Sequence, residues 1–119
     1  MIAIRNYAIF VCMLVSLLGC ASSIVDGEYL RTSPTIYPLK SDSAIVEVFL
    51  SGKSANRKTV DIGKVSARAY VLEKGIDELR EQAKELGADA ITNVSYERKF
   101  SMDYLQDLYF IDGDAVIYE

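Results

Sequence analysis

The sequence predicts an α+β domain in which one helix covers one face of a four-stranded, mainly antiparallel sheet, in the order ββαββ. Four stretches are rich in β-branched residues or alternate apolar with polar residues, as strands do. One further stretch repeats apolar residues at helical spacing. A signal peptide and a polar tether are expected before this domain. The three predicted regions are residues 1–19, 20–43 and 44–119.

The N-terminus is typical of a signal peptide. Arg5 is the only charged residue among residues 1–19, and an apolar run of eleven residues, 8–18, follows it. Such a run is too short to span a bilayer, which takes about 20 residues. It ends in the sequence LLGC at residues 17–20, which resembles the bacterial lipobox. An ordinary secretory signal and an uncleaved membrane anchor are the alternatives.

The lipobox resemblance implies that Cys20 receives a diacylglyceryl group and that signal peptidase II cuts before it. Acyl chains contribute about 0.8 kcal/mol per buried CH₂, so two or more chains anchor a protein stably. Residues 21–23 are Ala-Ser-Ser, whereas an Asp after the cysteine commonly retains Gram-negative lipoproteins in the inner membrane. We therefore expect a lipid anchor on the periplasmic face of the outer membrane. Cys12 leaves with the signal, so no intramolecular disulfide is expected.

The charge of the mature chain argues against a nucleic-acid partner. It carries all seventeen carboxylates of the sequence against twelve lysines and arginines, a net charge of −5. A nucleic-acid-binding domain usually presents a basic face, and this balance fits an ordinary soluble domain instead.

Residues 20–43 are expected to be the lipidated N-terminus and a polar tether. The stretch is rich in Ser, Thr, Asp and Pro and shows no apolar period. Pro34 and Pro38 each push the preceding residue toward extended backbone. The tether is expected to be partly ordered near Ile36 and Tyr37, where it meets the domain.

Four strands are predicted from β-branched and aromatic residues between loop signals. They cover residues 44–50, 59–72, 89–98 and 107–118, with loops at 51–58 and 99–106. In the second strand the apolar residues change parity between Ile62 and Val65, which requires an extra residue, so a bulge is expected at Gly63. One continuous last strand is favoured over a hairpin at Asp112-Gly113, because each hairpin arm would be very short.

The helix is predicted at residues 73–86. Its apolar residues recur at intervals of three, four and three and form one narrow stripe: Ile76, Leu79, Ala83 and Leu86. Gly87 stands where helices commonly end in a left-handed residue. Gly75 is unfavourable inside a helix, so it is a candidate for the true start.

One helix leaves the other face of the sheet uncovered. Seven apolar residues are too many for the space beneath it: Phe49, Val65, Val71, Ile91, Val94, Ile111 and Ile117. Large exposed apolar patches are unusual on a soluble monomer. We therefore expect a homo-oligomer or an envelope protein partner.

Neither enzyme activity nor a metal or other cofactor is predicted. The chain has no His, and its mature part has no thiol apart from Cys20. Asp112 with Asp114, and Asp103 with Asp107, are close in sequence, but no second type of catalytic group stands near them. They are interpreted as solvated turn and loop residues. Calcium takes about six to eight oxygen ligands, which this spacing does not offer.

Two groups of residues are candidates for binding. The loop at 51–58 holds a basic cluster, with Lys64 beyond it, that suits lipid phosphates or cell-wall carboxylates; a solvated hairpin loop is the alternative. Tyrosine offers rigid area with a polar tip, and three tyrosines are surface candidates, whereas Tyr70 and Tyr96 are expected in or beside the core. The candidates are Lys53, Arg57, Lys58, Tyr104, Tyr109 and Tyr118.

Three segments resemble the YbjQ-like domain family. They are VDIGKVSA at residues 60–67, LREQAKELGADAI at 79–91 and GDAV at 113–116. They match the family's IGxVSA strand, its helix ending in LxxxAxxLGADA and its final GxAV strand. The domain plan is also similar to that of RcsF-like outer-membrane lipoproteins, which feed envelope stress to a phosphorelay. The resemblance covers about residues 44–118 and implies a non-enzymatic envelope domain.

The chain departs from these families in ways that bear on function. YbjQ-like proteins are often described as heavy-metal binders, and the mature chain has no His or free thiol for that role. RcsF-like proteins have a disulfide-braced domain and a long proline-rich linker, which this chain lacks. We expect an interaction module that uses the sheet face or an edge strand, with an RcsF-like stress sensor as a special case. A lipoprotein that binds a lipid, glycan or cell-wall group is the alternative.

Overall fold

The computed structural model describes residues 24–119, in which one helix packs on one face of a five-stranded mixed sheet. The elements in chain order are β1 (Ile24–Arg31), β2 (Glu47–Leu50), β3 (Thr59–Ala69), α1 (Leu72–Leu86), β4 (Ala90–Ser101) and β5 (Gln106–Tyr118). The predicted signal peptide and Cys20 lie outside the described residues. Within residues 24–119, no helix is long and apolar enough to cross a membrane.

The strands lie in the order β1-β3-β5-β4-β2. β3 pairs antiparallel with β1 and β5, β5 pairs antiparallel with β4, and the β2–β4 pairing is parallel. The prediction of an α+β fold with a mainly antiparallel sheet and one helix on one face is confirmed. The described sheet has five strands rather than the predicted four, because a further strand forms in the stretch expected to be the tether.

That further strand, β1, lies within residues 20–43. It pairs along β3 from Ile24 opposite Ala69 to Arg31 opposite Gly63. Six of its eight residues are exposed, so its sequence shows no alternating buried face. The backbone ladder holds this edge strand in place, and periodicity does not reveal such a strand.

The rest of the expected tether runs along the C-terminal end of α1. The N–H of Lys40 donates to the carbonyl of Lys84 (2.9 Å), and the Lys84 ammonium donates to the carbonyl of Asp42 (3.0 Å). Tyr37 packs partly buried against the core, whereas Ile36 is exposed. The order expected near these two residues is observed and extends further along the chain.

β2 is shorter than the strand predicted at residues 44–50. The N–H of Ala44 donates to the carbonyl of Ser41 (3.0 Å), which closes a turn and takes the first predicted residues out of the ladder. Val46 is nevertheless buried, and pairing with β4 begins at Glu47.

The structure confirms the predicted helix, which is α1, and its predicted end at Gly87. Three residues of the predicted stripe are fully buried: Leu79, Ala83 and Leu86. Gly87 has φ +80°. Its N–H donates to Lys84 O (3.1 Å) and that of Ala88 donates to Ala83 O (2.9 Å), which is a Schellman ending.

Gly75 does not start the helix. It lies buried in the first turn, where a Cβ atom would stand 2.1 Å from Cδ1 of Ile111 and 3.2 Å from Cβ of Ala69. The glycine therefore lets α1 approach the sheet closely, although its helix propensity is about 1 kcal/mol worse than that of alanine.

Two predictions about the strands are confirmed and two are not: β3 ends at Ala69 instead of residue 72, because α1 already begins at Leu72. A register shift between Asp61 and Gly63 places a bulge at the predicted point, and β5 continues as one strand through Gly113 instead of turning there. By contrast, β4 runs beyond its predicted end, so the loop predicted at 99–106 shrinks to residues 102–105.

Four of the seven apolar residues that seemed too many for one face lie in one core under α1, and Ile117 packs against it, whereas Val71 is 44 % exposed. Val65, Ile91, Val94 and Ile111 are each at most 2 % exposed and belong to one cluster. The reason is that β3 and β4 both contain a bulge. Each bulge brings two residues three apart in sequence to the same face, Ile62 with Val65 in β3 and Ile91 with Val94 in β4.

Candidate interaction surfaces

The face of the sheet away from α1 carries ion pairs between neighbouring strands, beside apolar residues of β5 such as Phe110. Lys64 stands opposite Asp114 and Ser66 opposite Asp112 across β3 and β5. Lys64 forms an ion pair with one oxygen of Asp114, and the other oxygen accepts a 3.0 Å hydrogen bond from Asn93 Nδ2. The carboxylates that were considered as an acid–base pair are thus part of a cross-strand network.

The pKa values on this face fit that structural role. Arg68 Nε donates to both carboxylate oxygens of Asp26 (2.9 and 3.0 Å) and lowers the pKa of Asp26. Burial raises the pKa of Asp114, but the hydrogen bonds from Asn93 and Lys64 outweigh it and the net pKa is lowered. General acid–base catalysis at neutral pH is most efficient when the carboxyl pKa is raised toward the working pH, and the pKa shifts of these two groups have the opposite direction.

A shallow depression of 390 Å³ lies on this face between β1, β3 and β5. Its lining includes Asp26, Ser66, Arg68, Phe110 and Asp112. Small-molecule sites mostly enclose their ligand, whereas this depression is open to solvent and its lining mixes apolar with charged side chains. In the described part of the chain, no three His, Cys, Asp or Glu side chains are grouped so as to hold a metal ion.

The predicted basic loop lies at the end of the sheet where β3 starts and β5 ends. Arg57 Cζ stands 4.1 Å from the centre of the Tyr118 ring, so the structure brings two candidates together in a cation–π contact. The Tyr118 hydroxyl donates to Glu47 Oε1 (2.9 Å), and burial together with this bond raises the pKa of Tyr118. Lys53 and Lys58 are exposed on the same loop.

The other two tyrosine candidates lie at the opposite end of the sheet. Tyr104 meets Tyr70 edge to face, with ring centres 6.4 Å apart, and Tyr109 meets Tyr96 at 6.3 Å. Tyr96 is half exposed and lies against Tyr109, which packs on the core, so it stands at the edge of the core and not inside it. Tyr109 and Tyr118 are nine positions apart on β5, about 30 Å at roughly 3.3 Å per residue. The candidates therefore form two separate groups.

The turn between β4 and β5 exposes large apolar side chains, of which the sequence reasoning singled out only Tyr104. The exposed fractions are 58 % for Phe100, 77 % for Met102, 41 % for Tyr104 and 74 % for Leu105. We call residues 100–105 the hairpin tip. The sequence signal that could have identified them is the apolar content of KFSMDYLQ at residues 99–106, the stretch predicted to be a loop.

Comparison with known proteins defines the fold and leaves the activity open. Models of protein families give no match to this chain, and neither do the curated proteins. Among solved structures, the chain is similar to a Francisella virulence factor, FvfA, in its orthorhombic crystal form. The TM-score is 0.53 and the identity 17 %, over 76 % of this chain and 96 % of that one. At this identity the likeness concerns the fold alone.

Proposed function

We propose that this chain is a lipoprotein on the periplasmic face of the outer membrane, whose domain is a non-enzymatic module that contacts another envelope protein. The observation that carries the proposal is the sequence LLGC at residues 17–20, which stands four residues before β1 begins at Ile24. An apolar run of eleven residues preceded by Arg5 is the pattern of a signal peptide rather than of a spanning helix.

The described surface favours a contact role over catalysis. Two carboxylates on the face away from α1, Asp114 and Asp26, are paired with Lys64 and Arg68, and the depression beside them is open. β1 is an edge strand of the described sheet, and an edge strand offers a backbone ladder to which a partner chain can add a strand.

The resemblance to YbjQ-like and RcsF-like domains supports the proposal at the level of the core. The matching segments fall on β3, on α1 with the start of β4, and on β5. Their apolar residues, such as Val65, Leu79 and Ala115, are buried, so the matching positions pack the domain and identify no partner. Because these positions identify no partner, an RcsF-like stress sensor is only one special case of the proposed module.

The anchor is tested by Cys20→Ala. We expect the wild type to incorporate an alkyne-tagged fatty acid and to fractionate with the outer membrane, because the Cys20 thiol is the acceptor of the lipid. The variant should do neither. Cys12→Ala is the matched control, since Cys12 lies in the apolar run and its loss leaves the signal apolar. Equal labelling of wild type and Cys20→Ala contradicts the proposal.

A second candidate is a lipoprotein that binds a cell-wall or lipid group through the basic loop. The stacking of Arg57 on Tyr118 favours it, because the contact holds a guanidinium at an exposed end of the sheet. Contacts of this kind depend on charge and weaken steeply with salt, whereas a backbone or apolar contact does not.

A further inference from the structure

The β4–β5 hairpin projects beyond the rest of the described sheet. β3 ends at Ala69, opposite Tyr109, whereas β4 and β5 continue for three further pairs, to Ser101 opposite Gln106. At about 3.3 Å per residue the hairpin extends roughly 10 Å past β3. The turn at residues 102–105 follows, and Tyr104 in it packs edge to face on Tyr70 just after β3, while its other apolar side chains stay exposed at this end of the domain.

The hairpin tip exposes apolar side chains that the core does not use. Phe100, Met102 and Leu105 are each more than half exposed, and such a group is unusual on a surface that faces only water. Leu105 also has φ +54°, a conformation in which glycine or asparagine is more usual. The geometry of the turn therefore does not account for a leucine at this position.

The charges around the hairpin tip are mostly neutralised by each other. Arg98 pairs with Asp107 (3.3 Å) and Lys99 with Glu97 (3.2 Å). Asp103 is exposed in the turn. A carboxylate at this position limits insertion to the depth of the lipid headgroups, where apolar side chains can reach the acyl boundary.

The proposed lipid anchor enters the domain at the same end. Ile24 at the start of β1 pairs with Ala69, which pairs with Tyr109 at the base of the projecting hairpin. Only four peptide steps separate Cys20 from Ile24, a reach of about 14 Å when fully extended. The hairpin extends roughly 10 Å past β3 at this end, which is within that reach, so an anchor at Cys20 can hold the tip at the bilayer surface.

We propose that the hairpin tip is a second membrane contact, whose apolar side chains enter the headgroup boundary of the bilayer that carries the lipid anchor. This inference rests on the proposed lipidation of Cys20 and adds to it the orientation of the domain. The strands then rise from the membrane, and the basic loop with Arg57 is held away from it.

The absence of tryptophan from the sequence allows a single introduced indole to report depth. M102W places it in the hairpin tip, and K53W places it in the exposed loop at the other end as the matched control. The lipidated full-length variants are reconstituted into phosphatidylcholine vesicles with acyl chains brominated near the headgroup. We expect M102W emission to be strongly quenched and shifted to shorter wavelength, and K53W emission to show neither effect.

Flotation of the same samples distinguishes failure of the anchor from failure of the tip contact. A chain that does not float with the vesicles overturns both proposals. A chain that floats, but in which M102W is quenched no more than K53W, keeps the anchor and overturns the tip contact. Phe100→Trp, a second tip position within β4, should be quenched like M102W, and this result guards against a distorted turn. Quenching of both tip variants only in anionic vesicles would overturn the apolar contact proposed here.

Discussion

At the scale of single residues, two glycines share a left-handed backbone in different surroundings. Gly87 has φ +80° and Gly52 has φ +87°. A Cβ atom on Gly87 would stand 2.5 Å from the carbonyl oxygen of Pro38 and 2.8 Å from Cβ of Tyr37, whereas nothing lies within 4 Å of one on Gly52. Comparing the two positions therefore isolates the packing of the chain before β2 against the end of α1.

We expect Gly52→Ala to lower the free energy of unfolding by about 1–2 kcal/mol, the penalty of left-handed backbone for a residue with a Cβ atom. Gly87→Ala should lower the free energy of unfolding by more than this, because the backbone at Pro38 must also move. Urea unfolding of both variants and the wild type measures the difference. Equal losses would show that the chain at Pro38 does not press on the helix end.

Single-residue features were predictable where their cause is local. Gly87 and the bulge at Gly63 were predicted because each interrupts the pattern of its own segment. The burial of Gly75 was not, because the side chain that leaves no room for a Cβ atom there belongs to Ile111 on β5. The contact of Arg57 with Tyr118 was not predicted either, because its two partners belong to segments that are far apart in the sequence.

At the scale of elements, the face of β1, β3 and β5 away from α1 links stability to pH. The pKa values of Asp26 and Asp114 are lowered in the folded protein. The unfolded chain therefore binds protons more readily at these groups. Their contribution to stability is present above the unfolded pKa, about 3.9, and is lost as the pH falls through the lower folded value.

The urea midpoint is accordingly expected to hold from neutral pH down to about 5 and to fall below about 4. Asp114→Asn removes one of the carboxylates whose pKa is lowered, so the relative fall in acid should be shallower than in the wild type. Asp42→Asn, at an exposed position in the chain before β2, is the matched control. An acid limb for Asp114→Asn as steep as that of the wild type would contradict the proposed linkage.

Elements with a buried face were predictable, and those held by backbone pairing were not. α1 and β5 lie within one residue of their predicted bounds because their apolar residues face the core at regular spacing. β1 escaped prediction since most of its side chains are exposed. The outer part of β4 is also exposed, and its pairing with β5 alone extends it to Ser101.

At the scale of the whole molecule, the described domain has two ends of different character. One end carries the start of β1 and the hairpin tip, and the other carries the basic loop with Arg57 stacked on Tyr118. The sequence supplied the candidate residues for binding. It did not show that they divide between the two ends, because that follows from the register of β5 against β3 and β4.

Self-association needs a different surface from the one first expected. Val65, Ile91, Val94 and Ile111 are buried under α1, and the opposite face of the sheet carries paired charges. This set of sheet residues is therefore not what a second copy would contact. The hairpin tip offers an exposed apolar group in its place, and away from a membrane that group is left in water.

We predict that the unlipidated chain from residue 21 onward self-associates through the hairpin tip, because Met102 and Leu105 then leave water only by meeting a second copy. Sedimentation velocity from micromolar to several hundred micromolar protein should show a rising sedimentation coefficient for this chain. Met102→Lys combined with Leu105→Asn should stay monomeric, and asparagine tolerates the left-handed backbone at that position. Ile36→Lys with Leu39→Lys, an exposed apolar pair elsewhere, is the control and should associate like the parent. A parent chain that stays monomeric contradicts self-association. Association that persists after the tip substitutions assigns the contact to another surface, and the edge of β1 is the first such surface to test.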